Sequence, residues 1–417
     1  MKNPIYPNET CKMRGEIKEH LLRDIIPFWL ALKDVDNGGF YGYVGYGRDV
    51  DKQAEKGCIL NSRILWFFSN CYLLYKDGLL TDADLAAEDL KAAQILAAAD
   101  HAFDFMRSAF LDKINGGVLW SVSFDGKALD TTKHTYNQAF AVYSLASYYR
   151  ASGNKEALGT ACMIYDIIES RCKDDKGYLE AFNIDFTPAG NDKLSENGVM
   201  ADKTMNTLLH VMEAYTELYK ATEDVGIRGQ MIRVLEIFKN KIYNPRLRRQ
   251  EVFFDEDYNS IIDLHSYGHD IETSWLLDRT LELIGDPSLT LMMEQISDAL
   301  SENIYETAFD GRSLANECDK GVVNNKRVWW VQAETVIGFL NAYAKHPDEK
   351  KYIDAVLREW EFIRDFQIDH RGHPAEWYGE IGADGRPDPT QPLADPWKCP
   401  YHNGRMCIEV IRRLEDI

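Results

Sequence analysis

The chain has 417 residues, of which 45% are hydrophobic and 27% are charged, a balance typical of a globular protein with a large core. Its net charge of -20 makes nucleic acid and anionic membranes poor partners. The first residues lack the apolar region of a signal peptide, and the longest apolar runs are too short to cross a bilayer. We therefore predict a cytoplasmic protein that binds neither.

The predicted elements start after residues 1–12, a segment rich in Asn, Pro and Glu that we expect to be a loose extension. The remaining residues, 13–417, are predicted to form a single domain. The charged stretch DADLAAEDLKAA, which begins at Asp82, is predicted to be an exposed helical insertion between the first two of the repeats that follow.

Short turns with glycine recur along the chain, as in DNGGFYGY at Asp36, INGGVLWS at Ile114 and FDGRSLAN at Phe309. Their interval is roughly 60 to 80 residues, which indicates a repeat architecture. Each interval contains two helical patterns of different kinds, and this alternation predicts how the repeats pack.

One helix of each pair is amphipathic, since apolar residues such as Met231, Val234 and Phe238 recur every three or four positions. The other is apolar on nearly every side, as in NQAFAVYSLASYY, and is therefore buried. Six pairs in alternation predict an all-α (α/α)6 barrel, with six outer helices around six inner helices and short β-hairpin turns. An open solenoid is the alternative, although the buried second helices favour closure.

Polar and aromatic residues collect at the predicted start of every inner helix. In a closed barrel these starts meet at one mouth, where helix N-termini add free N–H groups and a positive dipole. The residues are Asn61 and Arg63; His134, Tyr136 and Asn137; Asn206 and His210; His265, His269 and Glu272; Trp329, Trp330 and Glu334; and Trp397, Tyr401, His402, Asn403 and Arg405.

Aromatic residues near the same end, namely Tyr136, Trp275, Trp330 and Trp397, suggest a sugar-binding pocket. The apolar face of a pyranose stacks on an indole ring, and its hydroxyl groups need carboxylate, amide and guanidinium partners. Any one of these aromatic residues is more often a core residue, but the set at one mouth favours carbohydrate.

The segment HSYGHDIE, from His265 to Glu272, allows two interpretations. It imitates a helical zinc motif, with His402 or Glu334 as further ligands, but the HExxH order is absent and Gly268 predicts a helix that begins near His269. Without a metal, His269 and Glu272 share a helix face, where the carboxylate orients the imidazole or binds a substrate hydroxyl.

Histidines that titrate near neutral pH are effective general bases, each worth about 10²- to 10⁴-fold in rate. Two of them on opposite faces of a carbon next to a carbonyl can remove a proton from one side and return one from the other. Arg63 is the natural partner of the developing enediolate oxygen. A glycosidase would instead use a carboxylate pair such as Glu272 and Glu334, and a non-catalytic sugar-binding protein is a third possibility. The histidine-rich mouth favours proton transfer at carbon.

Five segments closely resemble one family: HTYNQAFAVYSLASYY, ADKTMNTLLHVMEAYTELY, HSYGHDIETSWL, RVWWVQAE and PWKCPYHNGRMC. They occur in the expected order, and the chain resembles the cellobiose 2-epimerases, within the N-acylglucosamine 2-epimerase superfamily, from about Ile17 to Ile417. The resemblance implies an (α/α)6 barrel and a reaction without metal or cofactor. The reducing-end glucose of a β-1,4-linked disaccharide or oligosaccharide would become mannose reversibly, through ring opening and a cis-enediolate. Cellobiose would give glucosyl-mannose, and lactose would give epilactose.

The resemblance also implies roles for individual residues. His269 and His402 match the family's two acid/base histidines, and His210 is implicated in ring opening. Arg63 matches a contact to a substrate oxygen. The other expected substrate contacts, including Trp275 from the aromatic pattern alone, are Tyr136, Asn206, Glu272, Trp275, Trp330, Glu334 and Trp397. The expected partner is the sugar, and we expect a monomer.

Overall fold

The computed structural model describes residues 7–194 and 198–415, which are mainly helical. The α-helices are α1 Pro7–His20, α2 Ile26–Ala31, α3 Cys58–Lys76, α4 Asp82–Ala87, α5 Ala92–Phe105, α6 Thr135–Ser152, α7 Lys155–Arg171, α8 Met205–Thr222, α9 Val225–Ile237, α10 Tyr267–Ile284, α11 Pro287–Thr307, α12 Trp329–Lys345, α13 Lys350–Phe362 and α14 His402–Arg413. Turns of π-helix extend four outer helices, over Leu21–Ile25, Met106–Phe110, Phe238–Ile242 and Ile363–Gln367.

The strands are short and lie in the loops. They are β1 Tyr43–Val44, β2 Val50–Asp51, β3 Lys56–Gly57, β4 Ser121–Val122, β5 Ala128–Asp130, β6 Lys133–His134, β7 Ala181–Phe182, β8 Lys203–Thr204, β9 Tyr243–Asn244, β10 Arg249–Gln250, β11 Phe253–Phe254, β12 Leu264–Ser266, β13 Glu317–Asp319, β14 Val322–Asn324, β15 Arg327–Val328 and β16 Glu380–Ile381.

Inner and outer helices alternate along the chain, as the two hydrophobic patterns predict. Inner helix α6 is buried on every side over residues 135–148, whereas outer helix α9 buries one stripe that contains Ile227, Met231 and Val234. The inner helices are α3, α6, α8, α10, α12 and α14, and each follows an outer helix. The predicted (α/α)6 architecture is confirmed.

The short strands link the repeats into a closed ring at the mouth. The strand before each of the first five inner helices pairs, antiparallel, with a strand in the loop of the next repeat: β3 with β4, β6 with β7, β8 with β11, β12 with β13, and β15 with β16. A bridge between Val44 and Ala394 joins the sixth loop to the first. Helix α14 also packs on α3, so the barrel closes and the solenoid alternative is wrong.

The loops at the two ends of the barrel differ in length. An inner helix passes to the next outer helix through a tight turn, as at Gly153, which has a φ of 77°, and Asn154, which caps α7. The return loops at the mouth are long and carry the strands. The ends of the inner helices that we expect to carry chemistry therefore open into the wider, more variable end.

Two predictions outside the barrel have different outcomes. Helix α1 begins at Pro7, so a loose extension is wrong for residues 7–12, and residues 1–6 lie outside the described part of the chain. A helix does begin at Asp82, where Thr81 and Asp84 form a capping box, and its Leu85 is buried. Within the described ranges, every helix is too short or too polar to span a membrane.

Candidate active site

A cavity of about 270 Å³ opens at the mouth of the barrel, where the inner helices begin. It is lined by Arg63, Tyr136, Lys193, Leu194, Asn206, His210, His269, Glu272, Trp329, Trp330, Trp397 and His402. Nine of the eleven residues predicted from the sequence therefore meet at one site. The exceptions are Trp275 and Glu334, which lie behind its wall.

His269 stands in the first turn of α10, which begins two residues earlier at Tyr267, close to the predicted start. Its Nδ1 lies 2.7 Å from the Ser266 hydroxyl, so the imidazole is held from one side. Burial, with the neighbouring His210, lowers the pKa of His269 to about 3. The imidazole of the free protein is therefore neutral, and it is a weaker base than the near-neutral histidine that the sequence suggested. Gly268 makes room for Trp330, because a Cβ at residue 268 would lie 2.5 Å from that indole.

His402 begins α14 and is oriented by a carboxylate. Its Nδ1 lies 2.8 Å from Oε1 of Glu334, so the donated hydrogen bond leaves Nε2 as the free nitrogen of the imidazole. Burial lowers the pKa of His402 well below its usual range, and the positive charge of Arg405 adds to the effect. The Trp330 ring lies 4.7 Å from the His269 ring and 5.5 Å from the His402 ring, so it contacts both.

Trp275 and Glu334 lie behind the cavity wall and are not among the residues that line it, so their predicted roles as substrate contacts stay predictions. Both are fully buried, and the Trp275 indole N–H donates to Oε2 of Glu334 at 3.0 Å. Trp275 lies one turn beyond Glu272 on the same face of α10. Helical spacing predicts that shared face but does not predict how far below the cavity a residue on it lies.

Arg405 holds the carboxylates beneath the cavity together, a role that the sequence did not reveal. Its guanidinium, fully buried, donates to Glu213, Glu272 and Glu334. Arg405 lies three residues after His402, and this helical spacing was the available signal. Burial raises the pKa of Glu334 to about 8; Arg405 opposes that rise and Glu272 adds to it. Burial also opposes ionisation of Glu213, but Arg405 prevails and holds the pKa of that carboxyl well below its usual range.

Arg63, on inner helix α3 next to α14, also lines the cavity and is 3% exposed. It donates to the Tyr136 hydroxyl at 2.7 Å and to the Trp397 carbonyl at 3.1 Å, which fixes the guanidinium in place. Burial raises the pKa of Tyr136, so its hydroxyl stays protonated. Arg63 thus supplies a fixed positive charge at the cavity.

His210 is the third histidine at the cavity, and it is oriented through Nδ1 by Oε2 of Glu213 at 3.0 Å. Tyr401 also donates to that oxygen, and Arg405 donates to the other. The sequence pattern placed Tyr401 at the mouth without a role and did not include Glu213. His210 therefore shares its supporting network with His402 and Glu272.

Several polar atoms at the cavity have no hydrogen-bond partner within the described residues: Nε of Arg63, Oδ1 of Asn206, Oε2 of Glu272 and Nε1 of Trp329. Buried polar groups in native proteins are almost always paired. The four residues line the cavity, but these atoms are themselves buried, so a polyhydroxylated ligand pairs with them only if the side chains shift.

The donor atoms of Glu272, Glu334 and His402 lie within 4.8 Å of one another, a grouping that can hold a metal ion. Arg405 already donates to both carboxylates, so a divalent cation there would meet a fixed positive charge. His265 lies in strand β12 and is not part of this group, and its Nε2 is 2.8 Å from Asp270 on α10. The donor set does not suit zinc.

A second cavity, of about 220 Å³, adjoins the first. Lys193 and Trp397 line both cavities, and the Trp120 and Trp397 rings are 5.9 Å apart. The second cavity also contains Glu55, Ile59, Ser121, Asp192 and Pro396. Aromatic and charged groups thus continue outward from the mouth.

Comparison with known proteins agrees with this geometry. The family model described as N-acylglucosamine 2-epimerase (GlcNAc 2-epimerase) matches residues 38–404. The cellobiose 2-epimerase of Eubacterium cellulosolvens is 46% identical, over 96% of this chain and 98% of that protein. The structure of the cellobiose 2-epimerase from Bacillus thermoamylovorans B4167 superposes with a TM-score of 0.89 at 41% identity, over 97% of this chain and 100% of that one.

A GH76 α-mannanase of Bacteroides thetaiotaomicron shares the fold alone, with a TM-score of 0.59 at 11% identity, over 97% of this chain and 94% of that one. The chain belongs to the N-acylglucosamine 2-epimerase family, in its cellobiose 2-epimerase branch. The resemblance seen in the sequence is confirmed, and with it the class of enzyme, an isomerase.

Proposed function

We propose that the protein reversibly epimerises C2 of the reducing-end glucose in β-1,4-linked disaccharides and oligosaccharides, as in cellobiose to glucosyl-mannose and lactose to epilactose. One observation carries the proposal: the neutral, buried imidazoles of His269 and His402 line one cavity and contact the same indole, that of Trp330. Relatives that are named cellobiose 2-epimerase support the choice of substrate.

The reaction begins when the pyranose opens, which transfers the O1 proton to the ring oxygen and leaves an aldehyde at C1. His210 is suited to carry that proton, because Glu213 orients its imidazole. One of His269 and His402 then removes the proton from C2. The electrons of the C2–H bond form a C1–C2 double bond, and the carbonyl electrons move to O1 to give a cis-enediolate.

The second histidine, which has taken up a proton from solvent, donates it to the opposite face of C2, and the first histidine releases the C2 proton to solvent before the next turnover. The electrons on O1 re-form the carbonyl, and the ring closes as mannose. Arg63 stabilises the negative oxygen of the enediolate by its fixed charge. Once their side chains shift, Oε2 of Glu272 and Oδ1 of Asn206 accept hydrogen bonds from sugar hydroxyls.

The second sugar of the disaccharide occupies the adjoining cavity, where Trp120 and Trp397 offer indole faces and Asp192 and Lys193 offer polar partners. A glycosidase is less consistent with this site. Hydrolysis needs two carboxyl groups that flank the scissile bond, whereas Glu334 does not line the cavity and shares Arg405 with Glu272. The monomer and the cytoplasmic location stay predictions.

The direct test is NMR of cellobiose with the purified protein in D2O that contains EDTA. We expect the H2 signal of the reducing glucose to disappear while mannose-type signals of an intact disaccharide grow. Free glucose would reject epimerisation in favour of hydrolysis. If the spectrum stays unchanged and the reaction starts only after zinc is added, the metal-free reaction is rejected. If the spectrum stays unchanged although cellobiose binds, the protein is a binding protein.

Variants of the two histidines test the assignment of the bases. His269→Ala and His402→Ala should each lower kcat by about 10²- to 10⁴-fold, because each removes one proton-transfer group. Circular dichroism and cellobiose binding should change little. Turnover near the unmutated rate in both variants would contradict the two-base reaction.

A further inference from the structure

The first, second, third and fifth repeats fix the start of their inner helix with the same ion pair, in which the cation is buried. A lysine or arginine two residues before the helix binds an aspartate in the turn that follows the preceding outer helix. The pairs are Lys56–Asp34 at 2.6 Å, Lys133–Asp112 at 2.9 Å, Lys203–Asp174 at 2.6 Å and Arg327–Asp310. The other oxygen of each aspartate accepts two N–H groups of its own turn.

The fourth repeat, which carries His269, departs from this arrangement at both positions. Asn244 replaces the aspartate and accepts the equivalent N–H groups of Arg246 and Leu247, at 3.1 and 3.3 Å. His265 replaces the cation, two residues before α10. Its partner is not in the turn but on α10 itself, where its Nε2 lies 2.8 Å from Oδ2 of Asp270.

Asp270 is the residue next to His269, and it is 1% exposed. Its Oδ1 accepts the backbone N–H of Gln250 at 3.2 Å and the Gln250 amide at 2.9 Å. The same amide contacts the His269 carbonyl at 3.3 Å and the Thr273 hydroxyl at 3.0 Å. The Gln250 amide therefore ties the backbone of His269 to Asp270.

We propose that His265, Asp270 and Gln250 form a positioning unit that holds His269 in the geometry for proton transfer. The inference rests on the proposed function for its catalytic consequence. In the first, second, third and fifth repeats the ion pair joins a turn to a strand. In the fourth repeat, His265 instead binds Asp270 in the first turn of α10, the helix that carries His269. Ser266, between His265 and the helix, also bonds Nδ1 of His269, so a shift of this segment moves the imidazole directly.

The test transplants the ion pair of the first, second, third and fifth repeats into the fourth repeat. The double variant Asn244→Asp, His265→Lys introduces the pair found in those four repeats and removes the imidazole partner of Asp270. The single variant Asp270→Asn removes the same contact while it keeps the side-chain shape. The matched control is Asp112→Asn, which makes the same chemical change in the second repeat, where no proton-transfer histidine is braced.

Three quantities are measured: kcat, KM and the primary isotope effect with substrate deuterated at C2 of the reducing glucose. In the double variant and in Asp270→Asn we expect kcat to fall by about 10- to 100-fold, KM to stay within about threefold and the isotope effect to rise, because C–H cleavage becomes slower. Asp112→Asn should lower the thermal midpoint but leave the isotope effect unchanged.

Imidazole nitrogen NMR of His269 tests the positioning without any substrate. Its Nδ1 signal should shift in both fourth-repeat variants and stay in place in Asp112→Asn. An unshifted signal, or a kcat and isotope effect within about twofold of the unmutated values, would overturn the proposal. Loss of the proposed function gives a different result: unmutated protein would then show no exchange at C2, while the NMR comparison still decides the positioning.

Discussion

Three carboxylates share the guanidinium of Arg405 beneath the cavity, and this arrangement determines how Glu334 titrates. Burial places the pKa of Glu334 near 8, so the carboxyl is neutral below that pH and charged above it. The charged form accepts the Nδ1 proton of His402 more strongly and makes Nε2 more basic. We expect kcat/KM to rise as pH passes through about 8. Glu334→Gln should remove that inflection and lower kcat by about 10- to 100-fold.

The measurement is a profile of kcat/KM from pH 5 to 10 for both proteins, with circular dichroism at each pH as the control for unfolding. An inflection near pH 8 that survives in Glu334→Gln would assign the titration to another group. A flat profile in the unmutated protein would show that the charge of Glu334 does not limit the reaction.

Trp275 and Trp330 were both expected to contact the sugar, but Trp275 lies behind the cavity wall and Trp330 lines the cavity. Their variants should therefore differ in stability and in KM. Trp275→Phe removes the donor to Oε2 of Glu334 inside the wall, which should cost about 1–3 kcal/mol of the free energy of unfolding. KM should stay within about twofold, because Trp275 does not line the cavity. Trp330→Phe should raise KM with little loss of stability. Urea unfolding and steady-state kinetics of both variants measure this, and a higher KM in Trp275→Phe alone would contradict the placement.

At the scale of elements, the sequence predicts which helices are inner and outer because burial on one side or on all sides leaves a direct record in hydrophobic spacing. It also predicts which inner-helix starts carry polar groups. It does not predict the support beneath them. Arg405 and Glu213 lie on inner helices, and charged side chains are seldom fully buried, so only the closed barrel shows that the two pair beneath the cavity.

The buried ion pairs before the inner helices give a prediction about elements. Lys133→Met leaves Asp112 without its cation in a site where the lysine side chain is fully buried, and breaking such a pair costs about 3–5 kcal/mol. Guanidinium unfolding should show this loss. The control is Lys176→Met, which breaks the exposed pair with Asp257 and should leave the midpoint unchanged. Equal losses in the two variants would mean that the buried pair does not anchor the helix start.

At the scale of the molecule, the site exists only because the ring closes. Arg63 comes from the first inner helix and His402 from the last, and the Val44–Ala394 bridge is part of what brings these ends together. Hydrophobic periodicity predicts the number of helices. It does not show whether the first and last helices meet, so it could not decide between a barrel and a solenoid. The expectation that the reaction takes place at C2 of a disaccharide came from the family resemblance, because helical spacing predicts neither the carbon atom nor the substrate.

Some buried groups have a raised pKa and others a lowered pKa. Together they set the pH range in which the free energy of unfolding is greatest. Burial raises the pKa of Glu180 and Glu334 to about 8, whereas an unfolded glutamate titrates near 4.5. Their contribution to the free energy of unfolding is therefore lost as pH rises from 4.5 to 8. Burial lowers the pKa of His134 to about 4 and of His269 to about 3, so their contribution is lost as pH falls below 6.5. These two effects oppose each other between pH 4.5 and 6.5.

Below that range the turn aspartates add to the loss. Burial of Asp112 opposes ionisation, but Lys133 and two backbone N–H groups prevail and lower its pKa, so its stabilisation disappears as pH falls below 3.8. We expect the free energy of unfolding to be greatest between about pH 4.5 and 6.5 and to decrease on both sides. Urea unfolding from pH 3 to 8 measures the curve. Glu180→Gln should flatten the decrease above pH 6.5, whereas a free energy that rises steadily to pH 8 would show that these buried carboxyls stay ionised in the folded protein.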